Sequence, residues 1–438
     1  MHQHIIVLLL DGVFLSGLAW LVWTHLASQG VSQAENPAQR RGRQLKPHSP
    51  RDCPLCCAAN GQSVERQKTI APWSRHKSSR GRPKVVESDG YACMNPACPY
   101  YRITDGDVHA LVSHGQHGKR ERIQRWRCEA CGQTATERLN TALYRLKTPS
   151  WRVAEVSTAL AEGVDISAAS RIFGHHERTI ARWLERSGQH AQRLHEHFFV
   201  HLVCEHLQLD ELVANVRGLS ERVWIWVAID ARTKMVPVIH IGRRKHDDAQ
   251  RFVHQIWQRL ANGCLPVFTS DGLNHYFYAL TAHFGHWTLQ PGHRLPVWQV
   301  ASGLRYGQLH KVKVGYRLKN LYTVALCGTR TQLREALQTL CLSGRIMTAY
   351  VERFNLTLRQ LVAPLSRRTW SLACRESHLG WHIEWLRAYY HFTRPHQSLR
   401  LPTAHRQRYR SRTPAMAAGL TYRRWRVREL LLMPVCPA

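Results

Sequence analysis

Negative charge is what this chain has least of. Its 438 residues carry 30 Asp and Glu against 61 Lys and Arg, a net charge of +31 before any of the 28 histidines is counted. Such an excess points to a polyanion as partner, because basic side chains displace counterions from phosphates. A merely solvated basic surface or an anionic lipid are the weaker alternatives. Other features are missing too. No Lys or Arg precedes the apolar stretch Ile5–Ala27, so the basic head of a cleaved signal peptide is absent. The 13 cysteines are an odd number, so a disulfide framework would leave one thiol over. No internal repeat is visible. Residues 53–148 lack long apolar periodicity and have little core of their own, so a metal must organise them.

What is present allows two or three domains with a sizeable core, and a hydrophobic content of 44% is ordinary for a globular protein. Residues 1–30 form a hydrophobic N-terminal segment. Its 5–27 stretch is about 34 Å long as a helix, enough to cross a bilayer. Arg40, Arg41, Arg43 and Lys46 follow it. If the segment is a real anchor in the inner membrane, the positive-inside rule leaves the rest in the cytoplasm. The other reading is an over-extended start. Residues 31–52 look like a linker.

Cysteine pairs mark the next region. Cys93-x4-Cys98 and Cys128-x2-Cys131, with 29 residues between the pairs, fit a four-thiolate zinc ribbon. Cys53-x2-Cys56 is a third pair. It either replaces one of the others or shares a second ion with a histidine such as His76. Residues 74–84 are a basic loop.

Three short helices are predicted within 149–200: Trp151–Ala161, Ile166–Ile172 and His176–Arg186, punctuated by Gly163 and Gly174. A Gly-containing turn between short helices is the helix-turn-helix pattern, with a plain three-helix packing unit as the alternative. The third helix puts Ile180, Trp183 and Leu184 on one face and leaves Arg178, Thr179, Arg182 and Arg186 to meet DNA.

From Leu207 the pattern is α/β. Strands are predicted at Leu207–Val213, Val223–Ile229, Met235–Ile241 and Leu265–Thr269. Helices are predicted at His246–Leu260 and Asn274–Phe284. Residues 286–348 resist parsing, with a strand within Leu304–Tyr316 and a helix near Thr331–Leu342. Asp210 closes one apolar run and Asp271 another. Glu352 lies on an amphipathic helix, Tyr350–Val362, whose buried arc is Val351, Phe354, Leu358 and Leu361. Glu352, Asn355 and Arg359 fall on the adjacent arc. Two strand-end aspartates and a later helical glutamate can converge on two divalent ions, Mg²⁺ or Mn²⁺. Ions about 3.5–4 Å apart clamp the attacking and leaving oxygens of a phosphodiester displacement. Glu211, Asp230, Asp247 and Asp248 compete for the same role. Asp230 reads better as a turn residue, and Asp247 and Asp248 as helix-start acids.

The helix Val351-Glu-Arg-Phe-Asn-Leu-Thr-Leu-Arg-Gln360, followed by Leu365-Ser-Arg-Arg-Thr-Trp370, resembles the signature around the catalytic glutamate of bacterial DDE transposases of the insertion-sequence-1 type. It includes the basic residue seven positions on, Arg359. Tyr390-His-Phe-Thr-Arg-Pro-His-Gln-Ser-Leu399 is similar to the segment that follows the core in integrase-like transposases. The order of cysteine knuckle, helix-turn-helix and core also matches. The 81 positions from Asp271 to Glu352 depart from the pattern and suggest an insertion at about 286–348.

The resemblance implies an RNase H-like catalytic domain over 201–400, preceded by a zinc ribbon and an all-α helix-turn-helix. It implies Asp210, Asp271 and Glu352 as catalytic metal ligands, double-stranded DNA (element ends and target) as partner, and hydrolysis at element ends followed by strand transfer. A homo-oligomer on DNA is expected with it. Residues 401–438 read as a basic tail, with the arginines of Arg406–Arg428 interleaved with Tyr409, Tyr422 and Trp425. Two rivals remain: a membrane-tethered zinc-ribbon regulator with an inactive core, and a structure-specific nuclease that cuts without strand transfer.

Overall fold

The computed structural model describes residues 70–73, 88–291, 294–340, 344–403 and 409–436. All lie in the second of two compact units, Pro47–Ala438. The N-terminal apolar segment, the linker, Cys53, Cys56, His76 and the basic loop 74–84 fall outside the described residues. Among those described, no helix is long and apolar enough to cross a membrane.

The described chain opens with a small antiparallel sheet, β1 (Leu111–His117), β2 (Ile123–Cys128) and β3 (Thr134–Thr136). Its own hydrophobic cluster gathers Tyr100, Ile103, Leu111 and Trp126 around Cys93, Cys98 and Cys128. Glu121 ties this region to the helices beyond it. It accepts from Arg138 at 2.6 Å, from the Ser150 backbone N–H at 2.6 Å and from Arg428 at 2.8 Å.

Helices α1 (Ser150–Ala161), α2 (Ile166–Phe173) and α3 (Glu177–Phe198) follow. Asp165 caps α2 by accepting from the Ala168 N–H at 2.7 Å, and Gly174 ends it at φ 69°. The sequence reading ends the third helix at Arg186. It runs twelve residues further, because Ser187, Gly188, Ala191, Leu194 and Phe198 continue its buried stripe. That half packs on α8 (Glu376–Ala388) so closely that a Cβ at Gly188 would overlap the Trp381 backbone. Arg186, expected to face DNA, instead donates to the carbonyls of Ala142 and Tyr144.

The main sheet has six strands in the order β11-β10-β7-β4-β5-β6. β4 (His206–Ala214), β5 (Val223–Asp230) and β6 (Val238–Gly242) are antiparallel neighbours. β7 (Val267–Asp271) and β10 (Arg305–Val314) run parallel to β4. β11 (Arg317–Cys327) returns antiparallel along β10. The fold is therefore mixed α/β with a mixed sheet. Strand β6 starts later than its apolar run suggests, and β4 continues four residues past Asp210. Helices α4 (His246–Arg259) and α5 (His275–His283) cover one face, where Trp226 packs on Phe252 and Tyr276. Helix α7 (Ala349–Leu361) lies on the other face against β4 and β5, and its buried arc is the one the sequence indicates: Val351, Phe354, Leu358 and Leu361.

The stretch 286–348 is structured throughout its described part. It holds a hairpin, β8 (Gly285–Thr288) with β9 (Val297–Val300), then β10, β11 and α6 (Arg330–Thr339). The described part of 401–438, read as a basic tail, folds back instead. Trp425 stacks on Phe392 with centroids 4.9 Å apart, and Val427, Leu430 and Leu431 are buried in α10 (Val427–Leu432), which follows the single-turn α9 (Pro414–Ala417). One hydrophobic cluster runs from Ala142 through the sheet to Val435. The helical region 149–200 and the sheet thus share a core.

In an open helix, Gly→Ala would stabilise by about 1 kcal/mol. Gly188→Ala is expected to destabilise instead, by about 1–3 kcal/mol, because α8 has no room for the methyl. Urea unfolding measures the sign; a gain in stability would mean α3 and α8 are not in contact.

Candidate functional site

Two groups of side chains have the chemistry of metal ligands. In the first, the loop that carries Cys93 and Cys98 is held by its own backbone. The Arg102 N–H donates to the Cys93 carbonyl at 2.8 Å, and the Cys98 N–H to that of Asn95 at 2.9 Å. Cys128 ends β2, and the turn to Cys131 closes with the Gly132 N–H on the Cys128 carbonyl at 2.8 Å, Gly132 taking φ 75°. The four sulfurs lie within 4.8 Å of one another. Cys93 Sγ is 3.5 Å from Cys131 Sγ, and Cys98 Sγ is 3.7 Å from Cys128 Sγ. Those separations are far above a disulfide bond of about 2.05 Å. They match the edge of a tetrahedron with 2.3 Å metal–sulfur arms, about 3.8 Å.

The thiols also shift one another. Hydrogen bonding from Cys93 leads the lowering of Cys128, and Cys93 is raised in turn. Burial raises Cys98. Four sulfurs this close cannot all ionise without a cation among them, so the set suits a metal such as zinc.

The second group is acidic. Strands β4 and β7 pair in parallel up to Leu209 and Ser270, and Asp210 and Asp271 are the next residues on each strand. Their carboxylates, with that of Glu211, lie within 4.8 Å of one another. Burial first, then the charges of Glu211 and Asp271, push the Asp210 carboxyl up to about 7. Glu211 is raised by burial and by Asp271, against the opposing pull of Arg244. Set aside as a competitor in the sequence, Glu211 is part of this cluster. Its oxygens are already engaged, by Arg244 Nε at 2.7 Å and by the Tyr276 hydroxyl at 3.0 Å.

Helix α7 brings Glu352 to the same place. Gln208, two residues before Asp210 on β4, uses its Oε1 to accept the N–H groups of Tyr350 (2.9 Å) and Val351 (3.1 Å). It thereby caps α7 from the strand. One turn on, Asn355 Nδ2 donates to Asp210 Oδ2 at 2.8 Å, while its buried Oδ1 has no donor among the described residues. Glu352 is half exposed. It accepts from Thr348 Oγ1 at 2.7 Å and forms an ion pair with Lys311 of β10. The carboxylate therefore stands outside the tight acidic trio yet within electrostatic range of Asp210, whose pKa it helps to raise.

The other sequence candidates separate clearly. Asp230 is buried at the end of β5 and accepts the Thr233 N–H at 2.8 Å, holding the turn to Lys234. Asp247 and Asp248 stand in the first turn of α4, and Asp248 also binds His240 Nε2 at 2.8 Å. Arg178, Thr179 and Arg182 are exposed at the start of α3. Arg359 is partly buried on α7, and burial and the nearby Arg367 lower its pKa. Among the described residues no acid pairs with it.

Gln208 and Lys311 carry no sequence signal of a role here. Asn355 does, since it shares the helix arc of Glu352. No protein-family model matches the chain, and no curated protein matches it.

About one zinc per chain is expected to require the 93–131 set. Cys128→Ser or Cys131→Ser should lose it together with the stability of the 90–148 region, as metal analysis and proteolysis would show. Full occupancy in a chain lacking all four cysteines would place the ion elsewhere.

The acidic site predicts a pH signature. A folded-state pKa raised above the unfolded value favours the protonated form, so stability is lost as pH rises from about 4 toward 7. A divalent cation offsets that loss by taking the proton's place. The rise in Tm on adding Mg²⁺ or Mn²⁺ should therefore be larger at about pH 8 than at about pH 5.5. Equal shifts at both would rule out cation binding at Asp210.

Proposed function

We propose that this chain is a metal-dependent DNA transposase of the DDE type, similar to those of the insertion-sequence-1 type. One observation carries the reading. Asp210 and Asp271 meet on neighbouring parallel strands at the centre of the sheet, and the helix that bears Glu352 is bound to the first of them through Asn355. Three antiparallel strands followed by two parallel ones, with acids on the first and fourth and on a later helix, fits an RNase H-like core. The net charge of +31 suits a DNA substrate.

Asp210, Asp271 and Glu352 would hold two Mg²⁺ or Mn²⁺ ions, which when bound acidify water or a 3′-hydroxyl and offset charge at phosphorus. The chain's own residues prepare that site. Asn355 fixes the orientation of the Asp210 carboxylate. Burial and like charge push the Asp210 carboxyl up to about 7, a charge cost that a bound cation would offset. Lys311 neutralises Glu352 in the meantime, and the two are exposed enough to separate. Glu211, locked by Arg244 and Tyr276, supplies negative potential without needing to ligate. Arg359, with no acid beside it, is free to meet a phosphate.

The cysteine set would be a zinc ribbon. The exposed Arg178, Thr179 and Arg182 would read the element ends in the major groove as part of a helix-turn-helix. A structure-specific nuclease would use the same carboxylates, and strand transfer separates it from a transposase.

Asp210→Asn, Asp271→Asn and Glu352→Gln should each abolish cleavage and joining of end-bearing DNA while end binding and fold persist. Glu335→Gln, on the exposed face of α6, should stay active. Normal cutting by all three variants would end the proposal, and cutting without joining in the unaltered chain would favour the nuclease. Arg178→Ala or Arg182→Ala should weaken binding to the element's ends by ~1–3 kcal/mol more than to random DNA if they contact base edges. Equal loss on every sequence would mark phosphate contacts.

A further inference from the structure

The hairpin β10–β11 begins at the acidic site and leaves the protein. Leu309 is level with Asp271, and Lys311 pairs with Glu352. From Lys311 to Tyr322 every residue is exposed, on both faces of the ribbon. Gly315 takes φ 60° at the first position of the two-residue turn, as a type II′ hairpin requires, and puts Tyr316 fully exposed at the tip. Val312, Val314, Leu318 and Leu321 are 40%, 62%, 56% and 50% exposed, so apolar side chains are concentrated along the ribbon rather than scattered singly.

The charge is one-sided. Lys311, Lys313, Arg317 and Lys319 lie on the hairpin, and no Asp or Glu occurs from residue 272 to residue 334. Cations and apolar groups are mixed on each face. Lys311 is opposite Leu321 and Lys313 opposite Leu318 on one side, and Val314 is opposite Arg317 on the other. At the base His310 stacks on Tyr322, with centroids 4.9 Å apart and planes 7° from parallel. A protein interface depletes charge from its centre, so this mixture fits a second copy of the chain poorly. It fits nucleic acid, where cations take phosphates and flat or aliphatic groups take sugars and bases. A two-stranded ribbon is also narrow enough for a major groove.

We propose that the β10–β11 hairpin is an arm that grips duplex DNA beside the carboxylate site, with Lys313, Arg317 and Lys319 on the sugar-phosphate backbone. This rests on the reading of the chain as a DNA-cutting enzyme. Val314 is five positions beyond Leu309, about 17 Å of strand. That reach corresponds to about five nucleotide steps of a DNA strand. The arm therefore contacts DNA up to about that far from the phosphodiester at Asp210 and Asp271.

The test is the full chain with Lys313→Ala, Arg317→Ala and Lys319→Ala together, titrated with labelled duplex DNA over a salt series. Three lost phosphate contacts should lower the magnitude of the slope of log K against log salt by about 2.7. Hydroxyl-radical protection should disappear over about five nucleotides to one side of the cut. Lys313→Arg with Lys319→Arg should keep both. Unchanged slope and protection in the alanine variant, with its melting temperature intact, would overturn the proposal. So would normal DNA binding combined with loss of a dimer in light scattering, which would make the hairpin an interface between copies. The two readings fail separately. A chain that cuts nothing but shows the slope change keeps the arm and loses the cleavage reading. A chain that cuts with the slope unchanged keeps cleavage and loses the arm.

Discussion

Parallel pairing of β4 with β7 is the constraint on which the site depends. The two strands stop pairing at Leu209 and Ser270, and the next residue on each is an aspartate. At a strand spacing of about 4.8 Å, two carboxylates at that level must be neighbours. Everything else is arranged around that forced proximity. Gln208 pins the start of α7 to β4, Asn355 binds Asp210, and β10 on the far side of β7 supplies Lys311 to Glu352.

The electrostatics follow from scarcity. A chain with twice as many basic as acidic residues could bury its acids singly against arginines, as it does with Glu121 and Glu384. Here Asp210, Glu211 and Asp271 instead sit together, and burial makes their mutual repulsion costly. That cost is the physical argument for a cation partner, since no charged side chain of the protein binds Asp210 directly among the described residues. The four cysteines repeat the logic with sulfur: a close group whose ionisation the protein cannot satisfy from its own side chains.

In the proposed function, helix α3 would link recognition to chemistry. Its first turns present Arg178, Thr179 and Arg182 outward, and its last turns lie in the core against α8. A helix that is half outside and half inside moves as one body. Its exposed N-terminal end is thus continuous with a segment packed in the core. The C-terminal segment adds to the same core through Trp425, Leu430 and Leu431.

Periodicity and residue type alone determined much: the first two short helices and the start of the third, the strands and helices between Leu207 and Phe284, the buried arc of α7, and the pairs Cys93/Cys98 and Cys128/Cys131. These are local properties, set by where apolar residues fall every two or every three to four positions and by the short reach of a ligand pair. They also singled out Asp210, Asp271 and Glu352, because an acid that closes an apolar run or sits at a helix edge can be read within a window. Only the tertiary structure decided the rest. The second half of α3 is polar enough in sequence to pass for surface and becomes core because α8 meets it, while the apolar residues of the short α10, set among arginines, become core because α1 meets them. Glu211, Gln208, Asn355 and Lys311 take their parts through partners 33 to 145 positions away. No local pattern encodes those partners; they follow from which strands pair and which helix crosses them.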